Sequence, residues 1–316
     1  MRLEHLRTFE AVVRLGTFTR AAQELYLAQP SLSRQIATLE ADLGAVLLER
    51  GRRGAAPTEA GRTLLPIARR MLADAAAARR ELDELAGLGR GRVHLGAPPT
   101  LCVSLVADVL AHFSSRHPGV ELQVSEAGSL ALLEQLQQGE LDLAFVITRQ
   151  DALEAEGAEL IGLLAEELVV VASATRAEPL PERITLAQLA TMPQVAFHRS
   201  YDLRAATDAA FAARSLTPVI AVEGAEMDAV LRFVERGIGV AVVPAMVVAD
   251  RPGLRHARIV EPELDRTVNL ARRRGVRPSA AARAMQELVF ETVAGTELPG
   301  VLPLEGREHH AGRPGG

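Results

Sequence analysis

The segment between residues 17 and 39 constrains the fold most strongly, because it contains two short amphipathic patterns separated by only a few residues. Thr17 is a suitable N-cap for the first pattern, which predicts a helix ending near Leu25. Pro30 lies in the first turn of the second predicted helix, where proline is tolerated. Two short helices joined by a tight turn are typical of a helix-turn-helix.

The apolar residues around this motif are spaced to face a common core. The stretch from Arg2 to Arg14 has apolar residues three and four positions apart, which predicts a preceding helix. This spacing leaves the polar side of the helix that begins QPSLSRQ facing outward. The residues expected to face inward are Leu3, Leu6, Phe9, Val13, Ala21, Ala22, Leu25, Leu32, Ile36 and Leu39.

A short basic stretch follows the motif between two apolar flanks. Its sequence is Arg50-Gly51-Arg52-Arg53-Gly54, which indicates a hairpin that would serve as a wing. The alternative is a solvated charged loop. The position directly after a helix-turn-helix favours the wing.

Charge is distributed unevenly along the chain. Residues 1–70 contain eleven Arg and seven acidic residues, whereas the whole chain has a net charge of −5, so the remainder carries −9. A basic head on an acidic body is typical of nucleic-acid binding confined to one end. All 35 basic residues are Arg, which excludes the lysines of P-loop and pyridoxal enzymes.

A long helix is predicted from Thr58 onward. Seven apolar residues alternate at steps of four and three, a period that predicts a coiled-coil seam and a dimer. The alternative is that this helix packs on its own domain. Pro66 is expected to kink the helix, and Gly87, Gly89 and Gly91 to end it in a hinge. The seam residues are Leu64, Ala68, Met71, Ala75, Ala78, Leu82 and Leu85.

From Arg92 onward, strand and helix patterns alternate, which indicates an α/β fold with mainly parallel sheets and two subdomains flanking a cleft. The predicted strands are Val93–Gly96, Val120–Ser125, Leu143–Ile147, Leu168–Ala172, Val195–Phe197, Val219–Val222 and Val240–Val243. The predicted helices are Leu101–Phe113, Leu130–Gln138, Leu203–Ala213, Ala225–Glu235 and Ala280–Val293.

Cysteine content and hydropathy restrict the location of the protein. The single cysteine, Cys102, excludes an internal disulfide and a cysteine-rich zinc site. No apolar run approaches the roughly 20 residues of a membrane-spanning helix, and the N-terminus is not that of a signal peptide. We therefore expect a cytoplasmic protein without a membrane partner, a metal or a cofactor.

The motifs FTRAAQELYLAQPSLSRQIATLEADLGAVLLER and PTEAGRTLLPIARRML resemble those of LysR-type transcriptional regulators. The match runs without a gap from Leu3 to about Leu72. Weaker similarity follows at HPGVELQV, GELDLAFVI and GIGVAVVP, positions 117–124, 139–147 and 237–244. The resemblance therefore extends over nearly the whole chain, and its most specific part lies in the first quarter.

The resemblance implies an α/β protein with an N-terminal winged helix-turn-helix, a long linker helix and a two-lobed effector domain like periplasmic solute-binding proteins. The expected DNA-binding domain is 1–58, the dimerisation helix 59–89 and the effector domain 90–295, followed by a disordered tail at 296–316. Within the effector domain, lobe I is expected at about 90–162 and 267–295, and lobe II at about 163–266.

The resemblance implies DNA contacts on the exposed face of the third helix and on the wing. Arg can bond guanine edges in pairs or neutralise phosphates. Two positions depart from the family: Ala28 replaces a capping Ser or Thr, and Thr38 stands where Arg or Lys is frequent. The expected DNA-contacting residues are Gln29, Pro30, Ser31, Ser33, Arg34, Gln35, Thr38, Arg50, Arg52 and Arg53.

Effector contacts are expected where strands end and helices begin, because free N–H groups there attract anions. Near Thr100 these groups are expected to hold a carboxylate, although a Ser or Thr at a helix start is often only a cap. Cys102 could be a thiol sensor or a packing residue. The candidate residues are Thr100, Leu101, Cys102, Ser129, Thr148, His198 and Tyr201.

The sequence thus predicts a DNA-binding transcriptional regulator, without catalytic residues, whose DNA bending and promoter activation or repression respond to a small-molecule effector bound between the lobes. Expected partners are double-stranded DNA and a second copy of the chain, as a dimer or a dimer of dimers, with RNA polymerase as a further candidate. A solute-binding protein and an enzyme are the competing hypotheses. The basic head argues against the first, and the lack of a recognisable catalytic motif argues against the second.

Overall fold

The computed structural model describes residues 1–51, 54–85, 91–148, 157–199, 201–248, 251–295, 297 and 299–304. The chain forms two compact units. The first comprises Met1–Gly89 with Gln137–Glu140, and the second comprises Arg90–Leu136 with Leu141–Gly316. Within the described ranges, no helix combines the length and apolarity that a membrane crossing requires.

The first unit contains the predicted helix-turn-helix and wing. The Thr17 side chain caps α2 by accepting a hydrogen bond from the Arg20 N–H at 3.2 Å. The short turn between α2 and α3 contains Tyr26 in the left-handed region, with φ of 53°. The elements are α1 (Leu3–Leu15), α2 (Phe18–Glu24), α3 (Gln29–Leu43), β1 (Leu48–Gly51), β2 (Gly54–Pro57) and α4 (Glu59–Leu85).

The core of the first unit is formed by the inner faces of α1, α2 and α3. Most of the predicted core residues are buried there, whereas Leu3 is exposed and Val13 and Leu25 are only half-buried. The buried side of α1 is therefore rotated relative to the prediction, toward Val12. The buried residues of this core include Leu6, Phe9, Val12, Ala21, Ala22, Leu32, Ile36 and Leu39.

The predicted seam of α4 has two different environments. Ala68 is buried in the core of the first unit, and Leu64 and Met71 pack against that core. The first half of the seam thus follows the alternative hypothesis, packing on its own domain. Beyond it, Ala78 is exposed and Leu82 is 66% exposed. The side chain of Leu85 and the predicted hinge glycines Gly87 and Gly89 lie outside the described residues.

The second unit alternates strands and helices as predicted, with additional elements. In chain order it contains β3 (Arg92–Ala97), α5 (Pro99–Cys102), α6 (Leu105–Arg116), β4 (Glu121–Glu126), α7 (Ser129–Gln137), β5 (Leu143–Thr148), β6 (Ala158–Ser173), β7 (Arg183–Thr185), α8 (Leu186–Ala190), β8 (Gln194–Phe197), α9 (Asp202–Ala212), β9 (Ile220–Ala225), α10 (Met227–Glu235), β10 (Ala241–Pro244), a 3-10 helix (Ala245–Val248), β11 (Leu254–Val260), β12 (Asp265–Arg273), α11 (Ala280–Ala294) and β13 (Val301–Pro303).

The main sheet is mixed, so the prediction of mainly parallel sheets is wrong. Its strand order is β4-β3-β5-β12-β6-β11-β7, and β10 and β13 also pair with β6. The central pairs β5–β12, β12–β6 and β6–β11 are antiparallel, whereas β3–β4, β3–β5 and β11–β7 are parallel. A separate parallel pair is formed by β8 and β9. The antiparallel centre arises from β6 and from β11 and β12, and the sequence patterns revealed neither β11 nor β12.

The second unit has separate hydrophobic cores for two lobes. One core includes Phe113, Phe145 and Met285, and the other includes Leu231 and Val243. The 16-residue strand β6 contributes to both cores, with Leu163 and Leu164 in the first and Leu168–Ala172 in the second. Each lobe is therefore built partly on this shared strand.

Two further predictions about the second unit are wrong. The helix predicted over Leu101–Phe113 is divided at Val103 and Ser104, between α5 and α6. The predicted disordered tail at 296–316 contains β13, which pairs with β6 and has a buried Val301. The side chain of Val301 packs in a lobe core, which gives this short strand a place on the sheet despite its Gly- and Pro-rich surroundings. Residues 305–316 lie outside the described residues.

Candidate nucleic-acid interface and ligand cleft

The outer face of α3 is polar and accessible. Gln29, Pro30, Ser31 and Arg34 are exposed, while Leu32 on the opposite face is completely buried. The buried face fixes the rotation of the helix about its axis, because turning it would expose the core residues to water. The four polar-face residues are therefore presented together at the start of α3.

Three other predicted contact residues are more constrained. Ser33 and Gln35 are half-buried, and the Gln35 side chain is hydrogen-bonded to the buried Thr8 hydroxyl of α1. The exposed Thr38 hydroxyl donates to the Arg34 carbonyl at 2.9 Å. The Gln35 bond links α3 to α1, which positions the outer face of α3 relative to the rest of the unit.

The N-terminus of α3 has no side-chain cap. Ala28 is the N-cap residue and, as expected from the sequence, its side chain cannot accept a hydrogen bond from the helix. The first N–H groups of a helix lack intrahelical partners and carry partial positive charge. This end of α3 can therefore bind a phosphate oxygen through its backbone.

The wing is a two-stranded antiparallel hairpin in which Leu48 pairs with Pro57 and Gly51 with Gly54. The Ala55 N–H donates to the Gly16 carbonyl at 2.7 Å, which holds the hairpin against the turn between α1 and α2. Of the wing arginines, the Arg50 backbone lies in β1. Its side chain, Arg52 and Arg53 lie outside the described residues.

Two cavities between the lobes of the second unit are both lined by Arg266. The larger of these two has a volume of about 450 Å³ and the smaller about 240 Å³. A third cavity, of about 1010 Å³, is lined by Leu105 and Leu288 of one lobe and Val247 of the other. Among the predicted effector residues, Thr100 and Tyr201 line the larger cavity and Thr148 lines the smaller one. The larger cavity is lined by Pro98, Pro99, Thr100, Glu126, Ala127, Gly128, Ile147, Tyr201, Asp202, Leu203, Glu226 and Arg266.

A buried ion pair lies at the wall that the cavities share. The Arg266 guanidinium donates to Glu166 Oε2 through Nε at 2.9 Å and Nη2 at 2.7 Å. Its third nitrogen, Nη1, donates to the Thr100 hydroxyl at 2.8 Å. The other Glu166 oxygen accepts from the Met246 N–H at 2.7 Å. The predicted cleft residue Thr100 is therefore held by a network that links β12, β6 and the 3-10 helix.

A second polar contact connects the two sides of the cleft. Both the Ser129 N–H, at 3.0 Å, and its hydroxyl, at 2.6 Å, donate to Asp202 Oδ2. The Ser129 oxygen in turn accepts from the Ile147 N–H at 2.9 Å. Since Ser129 begins α7 and Asp202 begins α9, a carboxylate of the protein occupies the N-terminus of α7.

The other predicted residues differ in their access to the cleft. The Thr148 hydroxyl accepts from the Asn269 side-chain amide at 2.9 Å, and the Tyr201 ring stacks on Phe197 with centroids 5.5 Å apart. Leu101 is fully buried in a lobe core. His198 is exposed and is not among the residues that line either cavity.

Cys102 is half-buried and packs against a lobe core. Burial, together with the charge of Glu126, raises the pKa of its thiol to about 11. A thiol with so high a pKa is protonated at neutral pH and reacts slowly with oxidants. This environment favours the packing residue over the thiol sensor.

Sequence reasoning missed several polar residues of the cleft. Asp202 follows a strand and begins a helix, which is a signal that could have found it. Arg266 lies in a strand that was not predicted and Glu166 lies in the unpredicted part of β6, and their pairing joins positions 100 residues apart. Among the described residues, no three His, Cys, Asp or Glu side chains are grouped as a metal site requires.

Comparison with known proteins identifies both units. A family model described as bacterial regulatory helix-turn-helix protein, lysR family, matches residues 3–62. A second, described as LysR substrate binding domain, matches residues 86–294.

Individual relatives extend over almost the whole chain. The uncharacterized HTH-type transcriptional regulator YybE of Bacillus subtilis is 30% identical over 290 residues, covering 92% of this chain and 98% of that protein. The nitrogen assimilation regulatory protein nac of Klebsiella aerogenes is 31% identical over 305 residues, covering 94% and 97%. A solved structure of full-length CbnR complexed with its target DNA is 26% identical, covers 93% of this chain and 99% of that one, and has a TM-score of 0.64. The chain therefore belongs to the LysR family of transcriptional regulators, with a helix-turn-helix domain followed by a substrate-binding domain.

Proposed function

We propose that this regulator binds a specific double-stranded DNA site through α3 and changes its DNA bending when a small molecule binds between the lobes. The observation that carries the DNA-binding part is the exposed polar face of α3, with Arg34 outward and Leu32 buried beneath it. Gln29, Pro30, Ser33 and Arg34 would enter the major groove, because base edges there distinguish all four base pairs.

Most of the remaining predicted residues would contact the DNA backbone. Ser31, Gln35 and Thr38 lie on or beside the same face, and the wing arginines Arg50, Arg52 and Arg53 would neutralise phosphates or enter the minor groove. The uncapped N-terminus of α3 adds a backbone site for phosphate. The major-groove contacts would set specificity, and the contacts to the DNA backbone would set affinity and its salt dependence.

Dimerisation would use the uncovered part of α4. Ala75, Ala78 and Leu82 continue the seam beyond the region that packs on the first unit. Two such helices could approach closely through the alanines and bury Leu82 between them. A dimer presents two copies of α3 to two half-sites, and a dimer of dimers would extend the DNA footprint.

The effector would bind in the cavities between the lobes, where Thr100, Ser129, Thr148 and Tyr201 lie at or beside the walls. We do not propose Leu101, Cys102 or His198 as effector contacts. Leu101 is buried in a lobe core, Cys102 packs against that core, and His198 lines neither cavity. Binding in this cleft would change the relative angle of the lobes, and thereby the bend of the DNA. The protein would act in the cytoplasm as a regulator without catalytic activity, with RNA polymerase as a partner at the promoter.

The proposal is tested with DNA from the protein's own locus. Full-length protein is titrated against the upstream fragment in a gel-shift assay, with a shuffled fragment of equal length as the control. We expect a protected site in footprinting and an affinity for the natural fragment at least about 10³-fold above that for the control at physiological salt. Equal affinity for the two fragments would contradict sequence-specific recognition.

A further inference from the structure

The two lobes are joined across the cleft by a hydrogen-bonded contact between Ser129 and Asp202. The Ser129 hydroxyl accepts from the Ile147 N–H of β5 at 2.9 Å, which fixes this side chain to the lobe that contains β5. Its N–H and hydroxyl both donate to Asp202 Oδ2, at 3.0 and 2.6 Å. Asp202 begins α9, whose residues Leu203 and Phe211 lie in the core of the other lobe. The contact therefore bridges the two lobes directly.

The position of Asp202 favours an ionised carboxylate. This residue accepts from the first N–H of α7, and it is itself the first residue of α9, whose N-cap residue Tyr201 makes no side-chain cap. The helix α10 also begins at the larger cavity, with no side-chain cap at Glu226. Helix N-termini carry partial positive charge, so the helix ends at this wall favour a carboxylate. Asp202 supplies that carboxylate from within the chain.

Ser129 depends on this carboxylate because it has little access to water. It is 6% exposed, and its hydroxyl and its N–H both donate to the same oxygen. Buried donors left without an acceptor cost the free energy of their lost hydration. Asp202 also lines both of the cavities that Arg266 lines. A ligand oxygen that binds Ser129 must therefore take the place of Asp202, and this exchange removes the contact between the lobes.

We propose that the Ser129–Asp202 contact is a latch that holds the lobes together until an effector supplies its own oxygen to Ser129. Such a ligand binds at this position only when the latch is open, and this difference in affinity shifts the equilibrium toward opening. Ligand binding is thereby coupled to lobe movement at one contact. This inference rests on the proposed role of the cleft as the effector site, and it identifies the contact that the effector would break.

The distance between two spin labels, one on each lobe, tests the latch. Labels are attached at Ala209→Cys on α9 and Glu287→Cys on α11, both exposed positions, in the full-length chain carrying Cys102→Ala. Labelled protein is diluted with unlabelled protein so that distances between copies do not contribute. Adding Asp202→Ala is expected to produce a second population at a longer distance. A distance distribution like that of the parent protein would overturn the proposal.

Further variants separate the latch from general effects of substitution. Asp108→Ala removes an exposed acid from the first turn of α6 and should leave the label distance unchanged. Ser129→Ala removes one of the two donors and should produce the longer distance in a smaller fraction of molecules. The double variant Ser129→Ala/Asp202→Ala should match Asp202→Ala alone, because both residues act through one contact. A larger population in the double variant, or an equal change in Asp108→Ala, would overturn the proposal.

Acetate tests whether a ligand oxygen can take the position of the Asp202 carboxylate. Amide hydrogen exchange in peptides that contain Ser129 should be several-fold faster in Asp202→Ala than in the parent protein. Acetate should slow this exchange, whereas chloride at the same ionic strength should not. The label distance should stay long, because acetate is not attached to α9. No protection by acetate, or equal protection by chloride, would overturn the proposal.

The same preparations are assayed for binding to the upstream DNA fragment. An unchanged label distance in Asp202→Ala, together with sequence-specific DNA binding, would overturn the latch and leave the proposed function standing. Failure of the parent protein to distinguish the natural from the shuffled fragment would instead contradict the proposed function itself.

Discussion

The Arg266–Glu166 pair is the most strongly buried charged contact that the structure describes, with side chains 5% and 0% exposed. Removing two charges from water is costly, and the cost is offset only when nearly every donor and acceptor finds a partner. Here the guanidinium bonds Glu166 and Thr100, and Glu166 also bonds the Met246 N–H. The network therefore depends on all of its members.

Replacing Glu166 by Ala should destabilise the second unit severely. The substitution leaves the Arg266 guanidinium buried without its carboxylate, which costs about 3–5 kcal/mol in comparable buried pairs. Urea unfolding followed by circular dichroism measures this loss. Glu167→Ala, which breaks the exposed pair with Arg258, is the control and should cost less than about 1 kcal/mol. Equal losses in the two variants would contradict this account of the network.

The backbone of Tyr26 is strained, and its side chain is not buried in a way that would offset the strain. It has φ of 53° and its side chain is 96% exposed. Asn tolerates this region better than other non-glycine residues. Tyr26→Asn should therefore raise the free energy of unfolding of the first unit by roughly 0.5–1 kcal/mol.

The control for this prediction is Tyr26→Ala, which removes the same exposed ring but retains a side chain that disfavours positive φ. Its stability should stay close to that of the parent protein in thermal unfolding. If Tyr26→Asn and Tyr26→Ala change the melting temperature equally, backbone strain is not the cause.

Residues at the cleft were predictable where local position was sufficient. Thr100, Ser129 and Tyr201 were found because they follow strands and begin helices. Their partners were not found, because Arg266 pairs with a residue 100 positions away and Asp202 bonds Ser129 across 73 positions. Whether a helix N-terminus is open to a ligand or occupied by a distant carboxylate depends on tertiary contacts that no local pattern encodes.

At the scale of elements, α4 has two different environments along its 27 residues. Its N-terminal half completes the core of the first unit through Ala68. Further along, Ala78 and Leu82 are exposed. One continuous heptad spacing therefore covers two surfaces, which is why the spacing alone could not separate intramolecular packing from dimerisation.

A charge at Leu82 tests the role of the second half. Leu82→Glu should shift the protein from dimer to monomer in sedimentation velocity, because a carboxylate would be buried in an apolar seam. Leu302→Glu, at another exposed leucine, is the control and should leave the sedimentation coefficient unchanged. A variant at Leu82 that sediments like the parent protein would show that this part of α4 is not the dimer contact.

Element types in the first unit were predictable because each helix buries one face and has clear end signals. The elements of the second unit were harder to predict. Before Leu168, β6 is interrupted by Gly162, Glu166 and Glu167, so only its apolar C-terminal part was recognised. In β12, Arg266 and Asn269 are buried polar residues that break the expected apolar run. Arg266 lines the cleft, Glu166 bonds Arg266 and Asn269 bonds Thr148, so local preference yields to tertiary hydrogen bonding at these positions.

At the scale of the whole molecule, the chain separates charge between its regions. Residues 1–70 carry a surplus of four positive charges and the remainder a surplus of nine negative charges. The basic region coincides with the helix-turn-helix domain, whereas the cleft of the second unit is lined with carboxylates. The basic region is thus suited to the anionic backbone of DNA.

The central claim is that the outer face of α3 reads base pairs, and quantitative gel-shift titration of Arg34→Ala tests it most directly. Loss of one bidentate Arg contact should weaken binding to the natural upstream fragment roughly 5- to 150-fold while binding to the shuffled fragment changes much less. Arg214→Ala, at an exposed position of the second unit, is the control and should bind both fragments like the parent protein. Unchanged affinity of Arg34→Ala for the natural fragment would contradict the account.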